Sequence, residues 1–184
     1  MKFVDPVKDT KQIDKVKKLL GKKRDVLLFT MGINSSLRVS DLLGLKIGDV
    51  VLDGVIKDSI TLKEAKTGKT KSLPLNDSIK KALKSYLAER GDAQPEEVLF
   101  LSRKKGEAIR RCQAWKIIND AGRSLQLNLG THSMRKTFGY QVYKSTRNLG
   151  LTQKLLNHSN SADTLRYIGI TKEELDEVYI NLNL

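Results

Sequence analysis

Between positions 50 and 75 the sequence changes its hydrophobic period, and it does so only once. Short apolar runs at 50–52, 55–57, 59–62 and 71–75 read as strands. Asp53-Gly54 and Thr67-Gly68 supply the turns between them. Everything around this block has helical spacing. A first helix is predicted over 10–20, with Ile13, Val16, Leu19 and Leu20 on one face and Gly21 as its stop. The very apolar stretch 26–33 reads as a buried helix. Asn34-Ser35-Ser36 breaks the chain, with Ser35 or Ser36 as cap of a helix that begins near Leu37 and ends at Gly44. After the β block, Asn76 or Asp77 caps a helix reaching about Arg90, closed by Gly91. A short apolar stretch at 98–101 precedes further helices over about 110–121, 132–144, 151–157, 162–167 and 172–182. The expected fold class is α+β, mainly α: a helical domain with a small antiparallel β-sheet inserted after its second or third helix.

At 184 residues the chain is expected to form one domain with a substantial core. No internal repeat or low-complexity tract interrupts it. Its 34 Lys and Arg outweigh 21 Asp and Glu, for a net charge of +13 and a pI near 9.8. Such an excess favours a polyanionic partner, because each phosphate neutralised releases condensed counterions. A solvated basic surface is the simpler alternative. Cys112 is the only cysteine and there are two histidines, so neither a disulfide nor a thiolate or His-rich metal site is expected. No apolar run approaches the roughly 20 residues that span a bilayer. The opening Met-Lys-Phe-Val-Asp-Pro does not have the pattern of a signal peptide, and a cytoplasmic location is expected.

Five separated residues have matching chemistry: Arg38, His132, Arg135, His158 and Tyr167. Two guanidiniums and two imidazoles suit a phosphodiester, since the planar fork of arginine meets two oxygens at once. His132-Ser133-Met134-Arg135 places its first and last side chains on one helix face. The segment follows Leu129-Gly130-Thr131, where free N–H groups at a helix start favour an anion. Taken alone, His-x-x-Arg is common on ordinary surface helices. Arg38 lies among Leu37, Leu42, Leu43 and Leu45, and Asp41 one turn on is the expected partner that orients its guanidinium. A plain Arg–Asp helix pair would look the same. Tyr167 is one of five tyrosines, most of which are packing residues in any chain. Its context distinguishes it, because a Ser- and Asn-rich turn joins it to His158 nine residues earlier.

Taken in order along the chain, the Arg38 segment, His132-Ser133-Met134-Arg135 and the stretch from His158 to Tyr167 resemble the tyrosine recombinase (phage integrase) family. The resemblance covers nearly the whole chain as that family's catalytic domain. It implies the fold of DNA breaking-rejoining enzymes and a reaction on double-stranded DNA. Arg38 and Arg135 would grip nonbridging oxygens, joined by His158, and Tyr167 would attack phosphorus. His132 would accept the phenolic proton. The product would be a 3′-phosphotyrosyl enzyme with a free 5′ hydroxyl, rejoined by reversal. The resemblance implies no cofactor, neither nucleotide nor metal.

The family also places a lysine in its β-hairpin as acid for the leaving 5′ oxygen. Lys66, just before Thr67-Gly68, matches that position best, with Lys69 second and Lys63 and Lys71 nearby. Gly68-Lys69-Thr70 echoes the end of a P-loop, but the first glycine of that motif would fall at Lys63, and strand–turn–strand is the wrong setting. Ser36 stands where many members have Gly, and Asp41 where many have Glu.

The motif begins so early that no N-terminal clamp domain is expected within 1–184, and DNA binding is expected to be weak and strongly salt-dependent. The family's assembly implies a monomer in solution and a tetramer on DNA, with exchange of the C-terminal helix. Thr171 and Glu174 form its capping box, and Leu175, Val178, Tyr179 and Leu182 its apolar stripe. That stripe could equally dock on its own domain. The competing functions are a type IB topoisomerase and a non-catalytic DNA-binding relic. A bacterial or phage-encoded, DNA-associated protein is the expected setting.

Overall fold

The computed structural model describes residues 4–66, 68–104 and 106–182. Two N-terminal helices lead the chain, α1 (Thr10–Leu20) and α2 (Lys23–Asn34). Asp9 caps α1 by accepting from Lys11 N, and Gly21 ends it at φ 66°. The middle of α2 is buried on all sides: Leu27, Leu28, Phe29 and Met31 are fully inaccessible. This explains its unbroken apolar run, since a helix without a solvent face needs no polar stripe. It packs against α1, α5 (Asp77–Arg90) and α7 (Thr131–Thr146), and so forms the axis of the molecule. Glycines permit the closest approach. A Cβ at Gly32 would lie 2.5 Å from Met134 Sδ, so α2 and α7 meet almost backbone to side chain.

The β block departs from the expected single sheet. Four strands form two separate antiparallel hairpins: β1 (Val51–Leu52) with β2 (Val55–Ile56), and β3 (Ser59–Lys63) with β4 (Thr70–Pro74). In the second, Ile60 faces Leu73 and Lys63 faces Thr70. Ile60, Leu73 and the following Leu75 are buried, while Thr61 and Ser72 face outward. Gly68-Lys69-Thr70 enters β4 rather than a helix, so the P-loop echo has no phosphate-binding geometry. Thr67 of the expected turn lies outside the described residues.

Two further corrections concern helix starts. A single turn, α4 (Ile47–Val50), occupies the approach to β1. The helix expected from Leu37 is shorter, α3 (Val39–Leu43), and neither serine caps it. Ser35 instead donates to Met31 O at 2.7 Å, and Asp41 closes the first turn by accepting from Arg38 N at 3.0 Å. The remaining helices agree in order and place: α6 (Arg111–Arg123), α8 (Leu149–Leu156), α9 (Ser161–Ile168) and α10 (Lys172–Asn181). Asn76 caps α5, and Thr171 and Glu174 form the reciprocal bonds of a capping box ahead of α10. Of the apolar stripe on α10, Tyr179 and Leu182 are exposed, as is Ile180. The side chains of Leu175 and Val178 lie outside the described residues. No helix among the described residues is long and apolar enough to cross a membrane.

Candidate active site

Helix α7 carries two of the five residues on its first turn. Gly130 N donates to Ser133 Oγ, and Ser133 N donates back to Gly130 O, which closes that turn with a fully buried serine. His132 and Arg135, three apart, then share the face toward a cleft of about 1280 Å³. Arg135 is 5% exposed, yet only part of its guanidinium is used: Nη2 donates to Leu156 O, while Nε has no partner among the described residues. His132 Nε2 is likewise buried and unpartnered. Groups of this kind cost free energy unless a ligand satisfies them.

Helix α8 ends against Arg135, and the chain reverses at Asn157, which takes the left-handed conformation at φ 52°. His158 is then fixed by two bonds with Gln153: its N–H donates to Gln153 O at 3.1 Å, and Gln153 Nε2 donates to His158 O at 3.2 Å. Asn160 caps α9 by accepting from Asp163 N at 2.7 Å. One helical turn later Tyr167 meets His158 edge to face, with ring centroids 4.8 Å apart at 88°. Lys136 Nζ lies 5.5 Å from the centre of the Tyr167 ring. His158 Nδ1 sits 3.2 Å from Thr164 Oγ1.

Arg38 arrives from the segment before α3. Its expected orientation by Asp41 is not what the structure shows. Asp41 is buried and, among the described residues, binds backbone: Oδ2 accepts from Arg38 N, and Oδ1 accepts from Ala65 N at 2.9 Å. The guanidinium instead meets Glu64, with Nη1 3.4 Å from Oε2. Asp41 and Glu64 therefore moor the β3–β4 loop to the Arg38 segment. That loop carries Lys66, which is exposed and lines the cleft. Lys71 does the opposite. Its ammonium turns inward to Ser36 Oγ and to Leu155 O.

Arg38, Lys66, His132, Arg135, His158 and Tyr167 thus converge on one cleft from four parts of the chain. Their fields act on one another. Burial depresses the pKa of His132 most, and Arg111, Arg135, Lys136 and Arg38 add to it. Burial and Arg135 also depress that of His158, with Asp163 opposing. Burial raises the Tyr167 phenol, while Arg135 and Arg38 pull it down. Both imidazoles are therefore biased toward the neutral form near pH 7. Among the described residues no cluster of His, Cys, Asp or Glu could hold a metal ion. Sequence reasoning missed Glu64, which reads as an exposed hairpin residue, and Thr164, whose spacing of three from Tyr167 places both on one helix face.

Residues 8–174 match the model of the phage integrase family. The chain belongs to the phage integrase family. This integrase-family chain is 38% identical over 182 residues to the probable integrase/recombinase YoeC of Bacillus subtilis, covering 97% of each protein. It is 28% identical to the tyrosine recombinase XerA of Pyrococcus furiosus, where it covers 93% of itself but 60% of that protein. Its fold is that of tyrosine recombinase catalytic domains. The XerH site-specific recombinase, solved bound to palindromic difH substrate in a post-cleavage complex, superposes with a TM-score of 0.72 at 23% identity. That match covers 98% of this chain and 54% of XerH, so the chain spans about half the length of that recombinase.

Proposed function

We propose that this integrase-family chain is a site-specific recombinase that cuts and rejoins double-stranded DNA through a 3′-phosphotyrosyl intermediate. The observation that carries the reading is the convergence of six separated side chains on one cleft that leaves His132 Nε2 and Arg135 Nε buried and unpartnered. A phosphodiester there supplies an acceptor for Arg135 Nε, and His132 is left to partner the attacking phenol. Arg38, Arg135 and His158 hold its nonbridging oxygens, where preorganised donors each contribute about 10²–10³ in rate. The Tyr167 oxygen attacks phosphorus as the P–O5′ bond breaks. Neutral His132 takes the phenolic proton, and Lys66 at the cleft rim gives a proton to the leaving 5′ oxygen. Asp41 keeps Lys66 and Arg38 in register. Net charge +13 supports a duplex as substrate.

On DNA the protein acts as a tetramer that exchanges α10, and it is a monomer when free. The exposure of Tyr179, Ile180 and Leu182 supports this assembly.

The test is covalent capture on a pool of nicked duplexes of random sequence. The parent protein is expected to form a DNA adduct that survives denaturant, and Tyr167→Phe to form none. Equal adduct yield from Tyr167→Phe would refute the assignment of the nucleophile. Absence of adduct from the parent would favour a DNA-binding relic, and relaxation of supercoils without site preference would favour a topoisomerase.

A further inference from the structure

Thr164 is completely buried on α9, yet its hydroxyl touches two polar atoms. Oγ1 lies 2.9 Å from Asn160 O and 3.2 Å from His158 Nδ1. A hydroxyl has one proton to give and two lone pairs to offer. The Asn160 carbonyl can only accept, so the hydroxyl proton goes there. The oxygen then presents a lone pair to the imidazole, and Nδ1 must be the donor. The other ring nitrogen, Nε2, makes no hydrogen bond among the described residues, and His158 lines the cleft.

We propose that Thr164 is a positioning residue that fixes His158 as the Nδ1–H tautomer and leaves Nε2 as the atom offered to the phosphate. A consequence follows for the reaction, and this half rests on the phosphotyrosyl reading above. In the neutral ring Nε2 is an acceptor and cannot donate to a phosphoryl oxygen. His158 grips the phosphate only as the imidazolium, so DNA engagement takes up one proton from solvent at this site. The charged and titratable groups facing the ring are Arg135 from α7, Arg38 from the segment before α3, and Asp163 and Tyr167 from α9. Burial and the two arginines keep the ring neutral in the free protein. The incoming phosphate supplies the negative charge that reverses this balance.

The tautomer is read directly by nitrogen NMR on the full chain labelled at histidine. Two histidines give two sets of ring signals, and His158→Gln removes one set. Above its titration, His158 is expected to show a protonated Nδ1 and a bare Nε2. Thr164→Val, which keeps the shape but loses the hydroxyl, is expected to shift the ring toward Nε2–H, and Thr164→Ser to restore the parent pattern. A parent ring carrying its proton on Nε2, or a Thr164→Val ring unchanged from the parent, overturns the proposal; the parent measurement stands even where a variant fails to fold. Adduct yield against pH tests the second half. The parent is expected to lose activity on the alkaline side as His158 deprotonates, and Thr164→Val to flatten that limb. An unaltered limb in Thr164→Val overturns the coupling. Failure of the parent to form any adduct would sink the recombinase reading alone, because the tautomer is measured without DNA.

Discussion

At Tyr167 two opposing effects meet. Burial favours the neutral phenol, and the guanidiniums of Arg135 and Arg38 favour the phenolate. Neither makes it a nucleophile unaided, because a phenol with a pKa of about 10 still has to lose its proton to an acceptor. In the proposed reaction His132 meets that need, since burial and nearby cations depress its pKa and a ring already neutral is ready to accept. The same depression has a cost in acid. Both histidines titrate lower in the folded protein than their ordinary value of 6.5. The unfolded chain therefore binds protons first as pH falls, and stability drops through the window that begins near 6.5 and runs down to the folded values. Thermal melts across that window should show the decline, and His132→Gln with His158→Gln should flatten it. Glu64 raises a separate question of charge. Its carboxylate is 4% exposed and stands against Arg38. Glu64→Gln is expected to lower stability by about 1–3 kcal/mol in urea unfolding, the scale of a hydrogen bond to a charged group. A variant as stable as the parent would show that this pair contributes nothing to the fold.

The helices place these side chains, and close packing between helices fixes the distances. Gly139 on α7 is a tight seat between three helices. A Cβ there would lie 2.8 Å from both Ile168 Cγ2 and Leu156 Cδ1, on α9 and α8. Those two elements carry Tyr167 and lead into His158. Gly139→Ala should therefore cost about 1–3 kcal/mol as an overpacked core substitution. It should also slow adduct formation although it touches no reacting atom, and a variant with parental stability and rate would refute this. Elements of this kind were largely legible in the sequence. The helices over 77–90, 131–146 and 172–181 announce themselves by period and cap. Single-turn α4 does not, because four residues carry no period. Its start is held by distant chain, with Ile47 N donating to Glu97 O and Gly48 N to Pro95 O. The split of the β block into two hairpins was hidden for a similar reason, since strand patterns give pairing partners no address. At the site, the order Arg38, His132, Arg135, His158, Tyr167 was readable as a constellation. The role of Asp41 was misread because its one-turn spacing from Arg38 suggests a side-chain pair, whereas its carboxylate satisfies two backbone N–H groups. Glu64 carried no pattern at all, as its burial is created only by the hairpin folding back on α3.

Across the whole molecule, the core and the tail behave differently. The core is continuous from Val7 to Met134 and surrounds α2. The C-terminal helix α10 is tethered near its start by the Lys8–Glu174 pair at 2.7 Å, while Tyr179 and Ile180 near its end are 81% and 74% exposed. Removing residues 172–184 is expected to leave the melting temperature almost unchanged. It should abolish assembly beyond the monomer on DNA in light scattering, and persistence of tetramers in the shortened protein would refute the exchange of this helix. Asp41 has a wider consequence than its size suggests. One carboxylate holds the backbone of Arg38 with one oxygen and the loop bearing Lys66 with the other. On the proposed reading, the clamp on the phosphate and the donor to its leaving group therefore share one mooring, which Glu64 reinforces through Arg38. On that reading, slackening there would disturb grip and release together, so strand breakage and resealing would rise and fall as one.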